Sequence, residues 1–398
     1  MIKLSSRLHG LEESVTLAIT AKAKALKASG KDIIGFGAGE PDFDTPENIK
    51  NAAIKAIKDG QTKYTAVGGI NELKDAIIAK FKRDNNLDYA RDEVIVSCGG
   101  KHSIYNLFQA VLDTGDEIII PSPYWVSYPV MASLAGATPV CVATTEKSGF
   151  KMTVRDFASR ITDRTKAVVI NSPSNPTGAA YTAAELEALA EVALKHHVLI
   201  ISDEIYEKLT YGGFKSSSIA SASYDIKGIT VVLNGVSKAY SMTGWRIGYA
   251  AGPKEIIKAM SSIQSQSTSN PSSISQWAAV EALNGPQDAV AAMAKEFEKR
   301  RDAMVKGLNA IKDVSAITPQ GAFYVFANTS GVYGKKFKDK MIKGSVDLAT
   351  YLLVEAGVAV VPGEPFGDDK YIRLSYATSL EQVNEGVKRI GEAIKRLE

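Results

Sequence analysis

Cysteine and histidine are scarce in this chain. Two cysteines, Cys98 and Cys141, stand in 398 residues. They exclude a disulfide framework and suit a reducing compartment. Four histidines, His9, His102, His196 and His197, leave too few ligands for a zinc site, and the adjacent pair points in two directions on a helix, so no metal is expected. Neither sign of charge is in excess: 47 Lys and Arg against 44 Asp and Glu give a net charge of +3. That argues against a broad polyanion-binding surface while leaving room for a local anion site. No apolar run approaches the roughly 20 residues of a membrane-spanning helix. Met1 to Gly10 carries charges and no apolar signal-peptide core. The expectation is a cytoplasmic protein without membrane or nucleic-acid partners.

The middle of the chain alternates short apolar runs with helical patterns. Val94–Ser97, Glu117–Ile120, Thr138–Val142, Ala167–Ile170, Val198–Ser202, Thr230–Leu233 and Ile247–Ala251 have strand length and are rich in Val and Ile. Continuous runs of this kind suit a sheet covered on both faces. His102–Leu112, Thr182–His196 and Pro253–Ser265 read as helices between them, and Thr182 with Glu185 forms a capping box. The alternation predicts an α/β layer architecture.

The tail predicts a smaller α+β unit. It contains a long charged helix (Pro286–Ile311), a strand (Ala322–Ala327), a helix (Ser345–Ala356), strands Val358–Val361 and Tyr371–Tyr376, and a last helix, Leu380–Leu397. Gly331–Gly344, basic and punctuated by glycine, reads as a surface loop. The expected division is an N-terminal segment (1–46) with an amphipathic helix, Val15–Ala28, packing on the tail unit; a large domain (47–285); and a small domain (286–398).

Polar residues follow five of the apolar runs: Gly99-Gly100-Lys101, Trp125, Asn171 to Gly178, Asp203 with Tyr206, and Lys238. Open α/β sheets bind ligands outside the carboxyl ends of their strands, so the five ends predict one composite site. Ser97-Cys98-Gly99-Gly100-Lys101 passes from strand to helix. Its two glycines let backbone N–H groups approach an anion at a positive helix end, although a plain strand–helix turn would look the same. Ser237 to Arg246 is the more telling segment. A lysine near a buried strand end can act as a neutral amine nucleophile, and Arg246 is a good phosphate fork.

The segment Ser237-Lys238-Ala239-Tyr240-Ser241-Met242-Thr243-Gly244-Trp245-Arg246 resembles the Schiff-base lysine motif of class I and II aminotransferases, of the aspartate aminotransferase fold. The likeness extends to Gly35 through Phe43, Lys63-Tyr64-Thr65, Pro123-Tyr124-Trp125, Asn171 through Gly178, Ser202 through Tyr206, Gly321 through Tyr324 and Tyr371 through Ser375. The mix is most similar to the bacterial Ib branch. The resemblance implies pyridoxal 5′-phosphate as cofactor and the α/β fold type I, a large domain with a mostly parallel seven-stranded sheet plus a smaller α+β domain. Lys238 would form the Schiff base and shuttle the substrate proton. Asp203 would pair with the pyridine nitrogen and keep it protonated. Tyr206 and Asn175 would bond the cofactor's ring oxygen, and Trp125 would stack on the ring. Gly99, Gly100, Lys101, Ser237 and Arg246 would hold the phosphate, with Tyr64 reaching in from a second subunit of a homodimer with shared sites.

For substrate, the resemblance gives Arg373 the α-carboxylate in a bidentate grip, beside Gly39. The animal-type branch uses an arginine before Ser-Asn-Pro for the distal carboxylate; here Ser265-Gln266-Ser267-Thr268 precedes Ser269-Asn270-Pro271, with no arginine. In the branch resembled, that role passes to Lys101, helped by Ser14 and Thr16. Aspartate with 2-oxoglutarate, in a ping-pong cycle, is therefore expected. Glu12 and Glu13 place negative charge in the same segment and disfavour prephenate. The alternatives are an aromatic or prephenate aminotransferase, or a C–S lyase on the same fold.

Overall fold

The structure, a computed structural model, describes Ser5 and residues 15–398. All seven apolar runs form one sheet. Its strands are β1 (Val94–Ser97), β2 (Glu117–Ser122), β3 (Thr138–Ala143), β4 (Thr165–Asn171), β5 (Leu199–Asp203), β6 (Thr230–Gly235) and β7 (Gly248–Ala251). Their spatial order is β1-β7-β6-β5-β4-β2-β3. Every neighbouring pair is parallel except the two made by β7, which runs against both β1 and β6. Strands β1, β6 and β7 are buried along their length, and β4 and β5 over all but their ends, which is why they carry unbroken apolar sequence rather than alternation.

Helices cover both faces. Gly100–Val111 and Lys254–Ser267 bury Ile104, Leu107, Phe108, Ile257 and Met260 against Ile95, Ile118, Ile120 and Val231. On the other face, Ala183–Lys195 sets Leu186 and Leu189 on Ile119, Val168 and Ile170. Its start is the expected capping box: Thr182 Oγ1 accepts the Glu185 N–H at 3.3 Å, and the Glu185 carboxylate accepts the Thr182 N–H at 2.8 Å. Gly248 on β7 is required by closeness. A Cβ there would lie 2.1 Å from the amide nitrogen of Gly100, so only glycine lets the first turn of that helix rest on the sheet.

The tail forms a second apolar body around an antiparallel sheet. Its strands are β8 (Tyr324–Asn328), β9 (Val361–Pro362) and β10 (Tyr371–Ser375), in the order β9-β10-β8. Helices Asp288–Asn309 and Leu380–Lys395 pack on it through Phe297, Met304, Leu308, Val383, Val387 and Ile390. The N-terminal segment joins this body. Ile34–Gly35 pairs in parallel with Val358–Ala359, Ser375 N–H donates to Phe36 O at 2.8 Å, and Ile34 and Phe36 sit in its core.

Several elements differ from the sequence expectation. Val358–Val361 is not one strand: Val358–Ala359 pairs with the N-terminal segment and Val361–Pro362 with β10, so the chain turns between two sheets. The helix expected over 345–356 is α-helical to Tyr351 and continues as a π-turn, Leu352–Ala356. Within 331–344, Lys336–Phe337 and Lys340–Met341 form a small hairpin, tied to the C-terminus by Lys336 N–H to Glu398 O at 2.7 Å. Helices Glu47–Lys58, Asn71–Asn85, Ser127–Leu134 and Ser273–Asn284 were not anticipated.

Candidate active site

Three strand ends and one loop build the floor of a cleft. The connection from β6 to β7, residues 236–247, carries both Lys238 and Arg246. After β1, the turn at Gly99 leads into the helix Gly100–Val111. Strand β5 ends at Asp203, and the loop after β4 holds Asn175.

The Gly99 turn and Arg246 make one anion cradle. Gly99 has φ +93°, and a Cβ on it would lie 2.4 Å from Arg246 Nη2. No side chain caps the helix that follows, so its first N–H groups face the same space. The Arg246 guanidinium bonds two carbonyl oxygens, Thr243 O at 2.9 Å and Cys98 O at 3.4 Å, and has no carboxylate partner among the described residues. Lys101 adds a second cation. Its Nζ lies 5.0 Å from the Trp125 ring centroid, and its pKa is lowered, first by desolvation and then by the nearby Arg246 charge. Ser237 is buried on the lysine loop. We expect Gly99→Ala to weaken inorganic phosphate or phosphorylated-ligand binding by about tenfold or more. A positive φ on a non-glycine residue costs roughly 1–3 kcal/mol, and the guanidinium must also move. Calorimetric titration checks this; unchanged affinity would show that the cradle holds no anion.

Lys238 is half-buried at the centre. Its Nζ donates to Gly39 O at 2.5 Å and lies 5.9 Å from the Phe323 ring centroid. Burial pulls the amine down to a pKa of about 8; Arg373 and Arg246 push the same way, while Glu40 and Asp203 oppose. Asp203 is buried. Tyr128 Oη–H donates to its Oδ2 at 2.6 Å and Ile205 N–H to its Oδ1 at 3.2 Å. Burial pushes the carboxyl pKa up, and the Tyr128 and Ile205 hydrogen bonds and the Lys238 charge pull it back. Tyr206, also buried, shares a hydrogen bond of 2.9 Å with Tyr324, and burial first, then Tyr324, holds its phenol well above the ordinary range.

Arg373 comes from β10 and is 3% exposed. Its Nη1 donates to Asn175 Oδ1 and its Nη2 to Gly37 O, each at 3.0 Å, and its plane lies 4.5 Å from the Tyr324 ring centroid. Nε has no partner, and no carboxylate pairs with the guanidinium among the described residues. Burial lowers its pKa. A buried cation without a counter-charge is costly, and a ligand carboxylate is the natural remedy.

These contacts chain together most of the residues singled out from sequence: Gly99, Gly100, Lys101, Trp125, Asn175, Asp203, Tyr206, Ser237, Lys238, Arg246, Gly39 and Arg373. Tyr64 is not among them; it stands on a loop and is 91% exposed. Thr16 lies on the helix Val15–Ala28, while Ser14, Glu12 and Glu13 fall outside the described residues. Tyr324, Tyr128 and Glu40 were missed. Glu40 accepts from Thr243 Oγ1 at 2.7 Å, joining the N-terminal segment to the lysine loop. Tyr128 and Tyr324 look like ordinary core aromatics in sequence. The only hint for Tyr128 is its place one turn after Trp125, against whose ring it packs edge-on at 5.3 Å.

A cationic cradle, an amine of lowered pKa and a buried carboxylate in one cleft define a protein that can hold a phosphorylated aldehyde by both ends. The comparisons agree. The model of the family described as Aminotransferase class I and II matches residues 31–390, and the chain belongs to that family, whose cofactor is pyridoxal phosphate. An aspartate aminotransferase of Geobacillus stearothermophilus is 55% identical over 392 residues, 98% of each chain. A probable aspartate/prephenate aminotransferase of Rickettsia felis is also 55% identical over 392 residues, 98% of this chain and 96% of the relative. The crystal structure of the aspartate aminotransferase from Rhizobium meliloti superposes with a TM-score of 0.97 at 49% identity, covering 100% of both chains.

Proposed function

We propose that this aminotransferase takes the amino group of aspartate and delivers it to 2-oxoglutarate in a ping-pong cycle. The observation that carries the reading is Arg373: a buried guanidinium with no carboxylate partner among the described residues, in the same cleft as Lys238 and Asp203.

The residues fit pyridoxal phosphate. Gly99, Gly100, Lys101, Ser237 and Arg246 would hold the phosphate, Asp203 the ring nitrogen, Tyr206 and Asn175 the ring oxygen, and Trp125 one ring face. The cofactor, joined to Lys238 when bound, supplies an electron sink for the substrate carbon. Arg373 and the Gly39 backbone orient the substrate α-carboxylate, which sets the Cα–H bond toward Lys238. Once the substrate amine takes the place of Lys238 on the cofactor, the freed Lys238 Nζ would take the Cα proton. Lys101, with Ser14 and Thr16, would meet the distal carboxylate. Asp203 holds a proton on the ring nitrogen.

The decisive experiment is a spectrum of the purified protein. A visible cofactor band bleached by aspartate and restored by 2-oxoglutarate is expected; a colourless protein that takes up no pyridoxal phosphate sinks the reading. Release of pyruvate from cystathionine, which carries a C–S bond, would instead point to lyase chemistry. Prephenate assayed beside oxaloacetate tests the acidic pair Glu12 and Glu13, and comparable rates would overturn that part.

The lowered amine gives a pH prediction. The neutral, reactive form accumulates as pH rises through the folded pKa of about 8, against 10.5 for an ordinary lysine. Capture of pyridoxal phosphate by cofactor-free protein should be half-maximal near pH 8 and level off about one pH unit higher. A rate still climbing above pH 10 contradicts this environment.

The division into 1–46, 47–285 and 286–398, a homodimer and a cytoplasmic location belong to the same proposal. Tyr64 and the half-exposed Ile54 and Ile57 of helix Glu47–Lys58 support the dimer, since they offer apolar surface on one part of the large unit. With shared sites, co-refolding Lys238→Ala chains with Tyr64→Ala chains should yield hybrids more active than either parent, because one of their two sites is intact. Activity no higher than the parental mean would show that each chain builds its site alone.

A further inference from the structure

We propose that Tyr128 is a positioning residue for Asp203: its hydroxyl keeps the carboxylate ionised and turned toward the cofactor's ring nitrogen. The inference rests on the functional reading above and adds a residue to it.

Asp203 sits at the end of β5, and its two oxygens have different donors. Oδ1 takes the Ile205 N–H, two residues along its own chain, at 3.2 Å. Oδ2 takes the Tyr128 Oη–H at the shorter distance of 2.6 Å. Among the described residues no Lys or Arg nitrogen comes within ion-pair distance of Asp203, so its direct partners are neutral donors, with the Lys238 charge acting from further off. An ionised acceptor makes such hydrogen bonds short and strong, and burial raises the penalty for losing one.

Tyr128 is built to stay a donor. It is 2% exposed, on the first turn of helix Ser127–Leu134, with its N–H on Trp125 O at 3.0 Å and its ring edge-on to Trp125. Burial and the neighbouring Asp203 charge both hold the proton on the phenol. The residue that would stack on the cofactor ring and the residue that would bond its nitrogen are therefore linked through one tyrosine. Without the hydroxyl, the carboxylate becomes a stronger base and draws the shared proton from the ring nitrogen, and the ring loses electron demand.

The test compares Tyr128→Phe with the wild type. Expected are a fall in kcat of roughly tenfold, with KM for aspartate held within about twofold, and a ring-nitrogen NMR signal, read with ¹⁵N-labelled pyridoxal phosphate, moved toward its unprotonated position. In cofactor-free protein, infrared difference spectra should show a new protonated-carboxyl band that Tyr128→Phe/Asp203→Asn lacks. An unmoved nitrogen signal with no new band overturns the proposal. Should Tyr128→Phe fold poorly, a site-specific fluorotyrosine at 128, a stronger donor, must lower the carboxyl pKa; no change overturns the proposal equally. A wild type that cannot transaminate removes the functional reading, while the infrared comparison still decides whether Tyr128 governs the charge of Asp203.

Discussion

Lys238→Ala should abolish amino transfer, lowering kcat by at least about 10⁴-fold, the upper range for a positioned general base alone. The loss should exceed that of any other single residue because, on the proposed reading, one nitrogen has two tasks, anchoring the cofactor and moving the substrate proton. Lys238→Arg separates charge from chemistry. It keeps a cation beside Gly39 O but supplies no nucleophilic amine, so it should be about as inactive. Single-turnover spectra with aspartate check both variants. Arginine activity within tenfold of wild type would mean that the positive charge matters rather than the amine.

Arg373→Leu should lower kcat/KM for aspartate by roughly 30- to 5000-fold, corresponding to about 2–5 kcal/mol for removing one side of a buried charge pair. Arg373→Lys should recover only part, because the two-pronged grip needs a planar fork. A second measurement separates recognition from folding. Succinate, a dicarboxylate without an amine, should raise the melting temperature of wild-type protein and leave that of Arg373→Leu unchanged. Equal protection of both would place the carboxylate site elsewhere. The unliganded Leu variant should lose little stability, since it also removes an unpaired buried cation, although Gly37 O loses its donor.

The legible parts of this molecule are those in which one stretch of sequence holds both the element and its chemistry. The seven strands could be read because burial on both faces writes itself as Val and Ile runs. Lys238 and Arg246 could be read because eight positions separate them on a single loop. Helices such as Ser273–Asn284 were hidden by composition: small residues, Ala278, Ala279 and Ala282, face its core and leave weak periodicity. Pairings across long separations could not be read at all. Asp42 and Arg300 form a part-buried ion pair at 2.8 Å across 258 positions, with Phe43 and Phe297 flanking the guanidinium. Tyr324 and Tyr128 differ from core aromatics only by where their hydroxyls end, which depends on partners 118 and 75 residues away.

The reversed strand β7 has a consequence for assembly of the site. A parallel neighbour would have required the chain to travel back along the sheet before starting again. Because β7 instead runs against β6, residues 236–247 turn round at one end of these two strands and never leave it. The amine and the guanidinium are thus set apart by a short covalent span clamped between two buried strands. Both ends of that span are pinned by the ladder between β6 and β7, so its length is set by the large sheet alone.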